Sequence, residues 1–323
     1  LLPAIHHTER LVRNASESSS KTSGAIKNFQ TIIEQLERSL QSAESSIYHY
    51  TLLLEDPVRE NVLAELQKTK DQASELSSHA LVGYRQQLQH HTDNVYSSIL
   101  TLEKEVQHLL SVVARVETRY PAAPILLDRL QPTSAEFMSA LEQAIDEARE
   151  NASEPQQKNV MNLLREIRYA WLQQIGSVRV YIANRSGIFG QPEQTMANNA
   201  ANRQIYSNRV LELLTTLRRY DEAGMLGFQQ SNALSRMLKA VRLYENDFLK
   251  AAEIYTSENW RADIPLLDKK IRPLFQQSWE KVYELEDAME RVVEQNTNML
   301  VRVSDSLANT VLLLIGFVGL VLL

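Results

Sequence analysis

The chain has 323 residues, a formal net charge of −6, 44% hydrophobic and 23% charged residues, nine glycines, nine prolines and no cysteine. This composition excludes collagen-like, low-complexity and cysteine-stapled chains. The negative balance argues against nucleic acid as a partner, because neutralising phosphates requires a local cationic excess. Scarce glycine argues against βαβ folds, whose phosphate turns consume it, and absent cysteine fits an oxidising compartment.

The first residues, Leu1-Leu2-Pro3, turn polar at His6-His7-Thr8-Glu9-Arg10 and read as the end of a membrane helix over 1–5. One helical register then holds from Ile5 to Leu54, through Thr8, Val12, Ala15, Ser19, Thr22, Ile26, Phe29, Ile33, Leu36, Leu40, Ala43, Ile47 and Tyr50. Apolar positions alternating at three and four residues form the seam of a coiled-coil-like bundle. The seam is small and polar near the start and becomes Phe, Ile and Leu farther along. Asp56-Pro57 breaks the helix, and a second long helix is expected from Val58 to about Arg119, antiparallel to the first. Its seam (Val62, Leu66, Thr69, Ala73, Leu76, Ala80, then Leu88 to Tyr120) slips once near Gly83. Such slips locally change supercoiling.

Pro121, Pro124 and Pro132 bracket a loop. Shorter helices follow over about 132–150, 155–186, 193–220 and 226–256, and a last one starts near 265. Val178 to Ile182 alternates like a strand but continues the stripe Val160, Leu164, Ile167, Trp171, Ile175, so it reads as helix. The last helix has its own seam: Phe275, Ser278, Val282, Leu285, Met289, Val292, Asn296, Met299, Val303 and Ser306. Asn296 at a seam position resembles the buried Asn that fixes register in coiled coils. From Val311 to Leu323 every residue is apolar or Gly, so 307–323 reads as the start of a second membrane helix, cut short of the ~20 residues a span needs. Residues 6–306 are then an extracytoplasmic helical region. Seven helices are an odd number for a chain that leaves and rejoins one membrane face by strict reversal. One junction, near Pro155 or Gly224–Gly227, must therefore continue direction.

No phosphate loop, nucleophile elbow, zinc-helix motif or cysteine nucleophile occurs, so the expectation is no enzyme, no metal and no cofactor. His6-His7 and His90-His91 are adjacent in helices, where neighbours point ~100° apart and do not ligate from one face. The densest polar cluster is central. Arg165, Arg168 and Arg179 lie on one helix with Trp171 and Tyr181; Arg185 follows in the loop Asn184–Gly190, and Arg203 lies on the next helix among asparagines and Tyr206. Guanidinium binds carboxylate in a bidentate fork, so these seven residues are the candidate site for a small anionic or polar ligand. The alternative is that the arginines pair with Glu166, Glu193 or Glu212, or lie along the apolar stripe.

The expected fold is all-α: an elongated antiparallel helical bundle, two stacked four-helix-type modules, ending in a transmembrane helix. Two long helices, several shorter ones and a final helix entering the membrane resemble the periplasmic sensor regions of bacterial two-transmembrane receptors. The plan is similar to helical bimodular chemoreceptor domains and two-bundle histidine-kinase sensor domains. The resemblance implies a homodimer in the inner membrane with its sensor region in the periplasm. Its partners would be membrane lipid and a small ligand or a periplasmic binding protein. Its signal would travel through the seam Val292, Asn296, Met299 and Val303. The rival readings are a tail-anchored membrane-fusion protein and a coiled-coil scaffold.

Overall fold

The backbone is described, in a computed structural model, for residues 2–84, 86–185 and 191–322. Side chains are described for these residues except 2–20, 83–84, 192, 300, 303, 307, 310–311 and 314–322. Among the described residues the chain is all-α, without a strand. It divides into two compact units, one built from 1–115 and 263–323 and the other from Val116–Ala262. The second unit is thus an insertion in the first, a division that the sequence reading did not draw.

Unit 1 contains α1 (Leu2–Leu53), α2 (Asp56–Ser78), α3 (Ala80–Tyr84), α4 (Gln86–Val113), the short α11 (Asp263–Leu266) and α12 (Arg272–Leu322). The intervening labels belong to unit 2: α5 (Val116–Arg119), α6 (Ala123–Ile125), α7 (Gln131–Glu150), α8 (Pro155–Asn184), α9 (Pro192–Glu222) and α10 (Phe228–Thr256). The expected seam of α1 is buried from Phe29 through Ile33, Leu36, Leu40, Ala43 and Ile47 to Tyr50. Its first positions, Thr8 to Ser19, lie outside the described side chains. Leu54 leaves the seam: it is partly exposed and takes a left-handed backbone, φ 60°, to close α1. A non-glycine residue there carries a steric cost. Leu52, Leu53 and Leu54 therefore stand exposed at the α1–α2 turn.

The single long second helix of the sequence reading is two helices folded back on each other. Ser77 hydrogen-bonds Asp93, and Lys70 pairs with Glu103 at 3.1 Å, so residue numbers rise on one strand of the hairpin as they fall on the other. The reversal lies at the expected slip. His79 takes an extended backbone, φ −65° and ψ 143°, and its Nδ1 accepts the Leu81 N–H at 3.2 Å, capping α3. The second half of the seam ends at Val113; Val116 is exposed in α5. With this fold-back, unit 1 runs up-down-up-down through α1, α2, α4 and α12. Cross-links mark each antiparallel neighbour: Ser39–Gln72 between α1 and α2, Ser98–Ser278 between α4 and α12, and Tyr48–Arg272 between α1 and α12. Among the described residues the long helices number eight rather than seven.

Unit 2 repeats the arrangement with α7, α8, α9 and α10 around one core. Phe137 stacks on Trp171, Arg209 reaches Glu166, Arg203 reaches Glu245, and Arg236 binds Glu136. Proline opens α2, α8 and α9, where the missing N–H is one the helix would leave unpaired.

The segment bracketed by Pro124 and Pro132 is not a loop. Leu126–Leu130 is a π-helical turn leading straight into α7. The same device precedes α12, where Leu267–Ile271 is a π-turn between Pro265 and Pro273. Each turn ends on a wide bond, Gln131 N–H to the Leu126 carbonyl and Arg272 N–H to the Leu267 carbonyl. A proline inside a helix clashes with the carbonyl four residues back, and widening the turn by one residue relieves the clash.

α1 has 52 residues and α12 has 51, each ~75 Å at ~1.5 Å per residue. The core of unit 1 ends at Phe29 on α1 and at Val292 on α12, apart from partly buried flanking residues such as Ile26 and Val293. Because the two helices are antiparallel, both extend beyond this core from its same end. Among the described residues no helix is long and apolar enough to cross a membrane. The expected spans at 1–5 and 307–323 fall largely on side chains outside the description.

Candidate functional site

The inner face of α8 sets the interior of unit 2. From Val160 to Trp171 it follows the expected stripe. Beyond Trp171 the buried positions become Gln174, Val178, Tyr181 and Asn184, while Ile175 and Ile182 are only partly buried. Three-four alternation carried on from Trp171 runs through Gln174, Val178 and Tyr181, whereas the expected stripe stepped four residues to the apolar Ile175. The buried face of α8 therefore includes two carboxamides, Gln174 and Asn184.

Trp171 is fully buried, stacked on Phe137 with ring centroids 3.9 Å apart and edge-on to Tyr244 at 5.0 Å. Its indole Nε1–H has no hydrogen-bond partner among the described residues. Gln174 Oε1, one turn along, has none either, nor does Asn184 Oδ1 near the end of the helix. Tyr181 packs edge-on against Phe248 and Tyr255. From α9, Arg203 enters the same interior. It is 3% exposed, its guanidinium lies 4.2 Å over the Phe248 ring, and it forms a bidentate pair with Glu245, one arm at 3.0 Å. Ser207 also donates to Glu245, and Gln204 accepts from the Arg203 Nη2 at 2.6 Å. The remaining donor, Arg203 Nε–H, has no hydrogen-bond partner among the described residues.

Burial pushes the Tyr244 phenol up to about 12, opposed by the nearby Arg203 and Arg179. Burial likewise raises Tyr255 to about 12 and raises Tyr181. These phenols remain protonated donors throughout the neutral range.

The seven residues singled out from sequence do not converge on one spot. Trp171, Tyr181 and Arg203 share the interior. Arg185 is half-buried beside it, donating to the Ser257 carbonyl and lying 5.4 Å over the Trp260 ring. Arg179 is exposed. Arg168 is exposed on the flank facing α7, where it pairs with Glu142 at 3.2 Å. Arg165 lines an open groove of about 430 Å³ between α8 and α9, with Glu166, Tyr169, Tyr206 and Arg209. There Arg209 is held by Glu166 at 2.8 Å and by Glu212 at 3.4 Å. The rest of the loop, 186–190, lies outside the described residues.

Gln174, Asn184, Tyr244 and Glu245 were missed. A lone polar residue beside an apolar stripe reads as the solvent face.

In unit 1, Val292 is buried, Asn296 is half-buried and Met299 is 59% exposed. The Val303 side chain lies outside the described residues. The seam of α12 thus leaves the core after Val292. Among the described residues no group of three His, Cys, Asp or Glu side chains is placed to hold a metal. Neither protein-family models nor curated proteins gave a match to this chain.

Proposed function

We propose that this chain is the extracytoplasmic sensor region of a bacterial two-transmembrane receptor, carrying no catalysis of its own. In this reading it sits in the periplasm, its two units stacked, anchored in the inner membrane by segments that include 1–5 and 307–323. It works as a homodimer, and a small molecule or a periplasmic protein partner acts on it. The observation that carries the reading is α12. This helix is unbroken from its buried seam at Phe275–Val292 to the apolar run at Val311–Leu323. A single rigid element spanning those two environments can pass a rotation, tilt or piston shift from a core to a bilayer. The extension of α1 from the same end of the core supports this placement. The exposed continuation of the seam, with Met299, suits pairing with a second copy.

Residues 1–323 contain no cysteine, so an introduced one is unique within this region. In cells producing the native gene product, Gln156→Cys on the exposed surface of α8 should react with a membrane-impermeant maleimide without lysis. Met299→Cys should form a disulfide between two copies under mild oxidation. Labelling of position 156 only after lysis overturns the membrane placement. Failure of position 299 to cross-link overturns the seam pairing.

A further inference from the structure

Adjacent helical positions keep His90 and His91 from chelating one metal, but not from bordering one groove. On α4, His90 lies three and His91 four residues after Gln87, so all three border one strip of the helix surface. On α12, Ala288, Arg291 and Gln295 follow the same spacing. Farther along these antiparallel helices Ser98 bonds Ser278, which sets the two strips at one level. The six residues line an open groove of about 370 Å³. Ala288 is buried, and its methyl group leaves room between the longer side chains.

Among the described residues no carboxylate lines this groove. Arg291 is exposed and forms no ion pair among them. The charges that act on His91 come from His90 on α4 and from Lys281, Glu284 and Arg291 on α12. Glu284 is already held by Lys281, whose Nζ reaches both carboxylate oxygens at 2.9 Å. Asp287 and Glu290 act at Glu286, with Glu37 of α1, and not at His91. One guanidinium is therefore uncompensated beside two imidazoles. Burial first, then His90, Arg291 and Lys281, hold the His91 pKa below its usual 6.5, with Glu284 opposing. A planar carboxylate is satisfied by one guanidinium fork, whereas a tetrahedral oxyanion presents oxygens in several directions and accepts from donors on both walls. Arg291 and Gln295 flank Val292, where the core of unit 1 ends on α12. Sixteen residues, ~24 Å of helix, separate Gln295 from Val311, so on the receptor reading the groove stands clear of lipid headgroups.

We infer that the groove between α4 and α12 binds a dissolved tetrahedral oxyanion of the sulfate or phosphate class, with Arg291 as its counterion and Gln87, Gln295 and His91 donating to it. The bound ion ties α12 to α4 at the end of the core, so the ligand acts on the helix that would carry the signal. Only that purpose, and the choice of a dissolved ion over a headgroup, rest on the receptor reading; the groove itself belongs to two helices of unit 1. A dianion beside His91 opposes the cations that hold its proton off, so binding draws a proton onto the ring. By reciprocity the affinity gain is complete below the pKa of the free ring and is lost as the pH rises through that of the bound ring.

Calorimetric titration of the full chain with sodium sulfate at fixed ionic strength tests this, because sulfate keeps its double charge between pH 6 and 8. Sulfate should bind about threefold more tightly at pH 6 than at pH 8, part of the factor that charges ~4 Å apart impose on each other in solvated surroundings. Acetate should bind more weakly than sulfate. Arg291→Gln should abolish sulfate binding, and so should Gln295→Glu, which places a carboxylate in the groove. Both positions are exposed, and unchanged helicity checks that the variants fold. His91→Gln should still bind sulfate, without the pH dependence. No sulfate binding at pH 6, or undiminished binding in Arg291→Gln, overturns the site. Acetate binding as tightly as sulfate overturns the tetrahedral class. Equal affinity at the two pH values, or a pH dependence kept in His91→Gln, overturns the role of His91. Displacement of sulfate by phosphatidylglycerol vesicles and not by glycerol phosphate overturns the dissolved source. Failure of sulfate to bind leaves the receptor reading standing. Sulfate binding combined with failed maleimide labelling removes the receptor reading and leaves the site.

Discussion

A single pair of residues fixes the start of α10. Glu147, on α7, places its carboxylate over the first turn of α10, where Oε2 accepts the Gln230 N–H at 2.7 Å. A negative group at a helix N-terminus satisfies a donor with no intrahelical partner and meets the positive end of the dipole. Gly227 makes room for it, since a methyl group at that position would overlap the Glu147 carboxylate. Gly227→Ala and Glu147→Ala should each lower stability by ~1 kcal/mol, the typical worth of a helix cap. The double variant should fall short of their sum, because the methyl group no longer meets the carboxylate once Glu147 is gone. Chemical denaturation of the four proteins checks this, and strict additivity would show that the two residues act independently. Neither partner was legible in sequence. Glu147 sits among Asp146, Arg149 and Glu150 as one more surface charge, and nothing local marks it as the cap of a helix eighty residues later. Gln174 was hidden for a different reason: it lies three residues after Trp171 on the continued three-four alternation, but the apolar Ile175 beside it drew the stripe away. Phe29 to Tyr50, by contrast, were plain, because an apolar seam is written directly in residue spacing.

At the scale of elements, the seam predicts that helices exist but not where they turn back. A slip of register near Gly83 looks the same whether a helix continues with altered supercoiling or reverses into a hairpin. The difference lies in His79. Its Nδ1 can accept from Leu81 only while it carries no proton, and its ring packs edge-on against Phe29 at 5.2 Å with Asn28 beside its Nε2. Burial pushes the His79 pKa below its usual 6.5, with Glu75 opposing. His91, also partly desolvated and near His90, Arg291 and Lys281, is lowered as well, with Glu284 opposing. A histidine lowered in the folded state binds fewer protons there than in the unfolded chain. Its stabilising contribution is therefore complete above pH ~6.5 and declines as the pH falls from there through the lowered folded value. Unit 1 should lose stability between pH 7 and 5. His79→Asn, which keeps a capping acceptor and cannot titrate, should flatten part of that decline while the His91 part remains. Unfolding midpoints across this range decide the matter, and an unchanged slope in His79→Asn would remove His79 from the account. The π-turns before Pro132 and Pro273 were equally unreadable at the level of pattern. Proline announces a break, and only the backbone shows that the break is a widened turn entered by the same eight-residue proline spacing both times.

At the scale of the whole molecule, the order of elements is one up-down-up-down unit interrupted by another before its last helix. Such an insertion is tolerated when the inserted unit has its own core and its ends lie close together. Both conditions hold. The core of unit 2 is drawn wholly from its own residues, from Ala122 to Tyr255. The Ala262 N–H donates to the Arg119 carbonyl at 2.9 Å, so the chain leaves the unit beside the point where it entered. A fragment of residues 116–262 should therefore fold alone. It should be strongly helical by circular dichroism and unfold in one cooperative transition with a stability in the usual ~5–15 kcal/mol range. Its Trp171 emission should match that of Trp171 in the full chain, because Phe137 and Tyr244, the rings that enclose it, are both inside the fragment. A fragment that binds hydrophobic dye and melts without cooperativity would mean that unit 2 depends on the rest of the chain for its core. A fragment that folds would make unit 2 self-contained, joined to α12 through the segment after Thr256 and its π-turn.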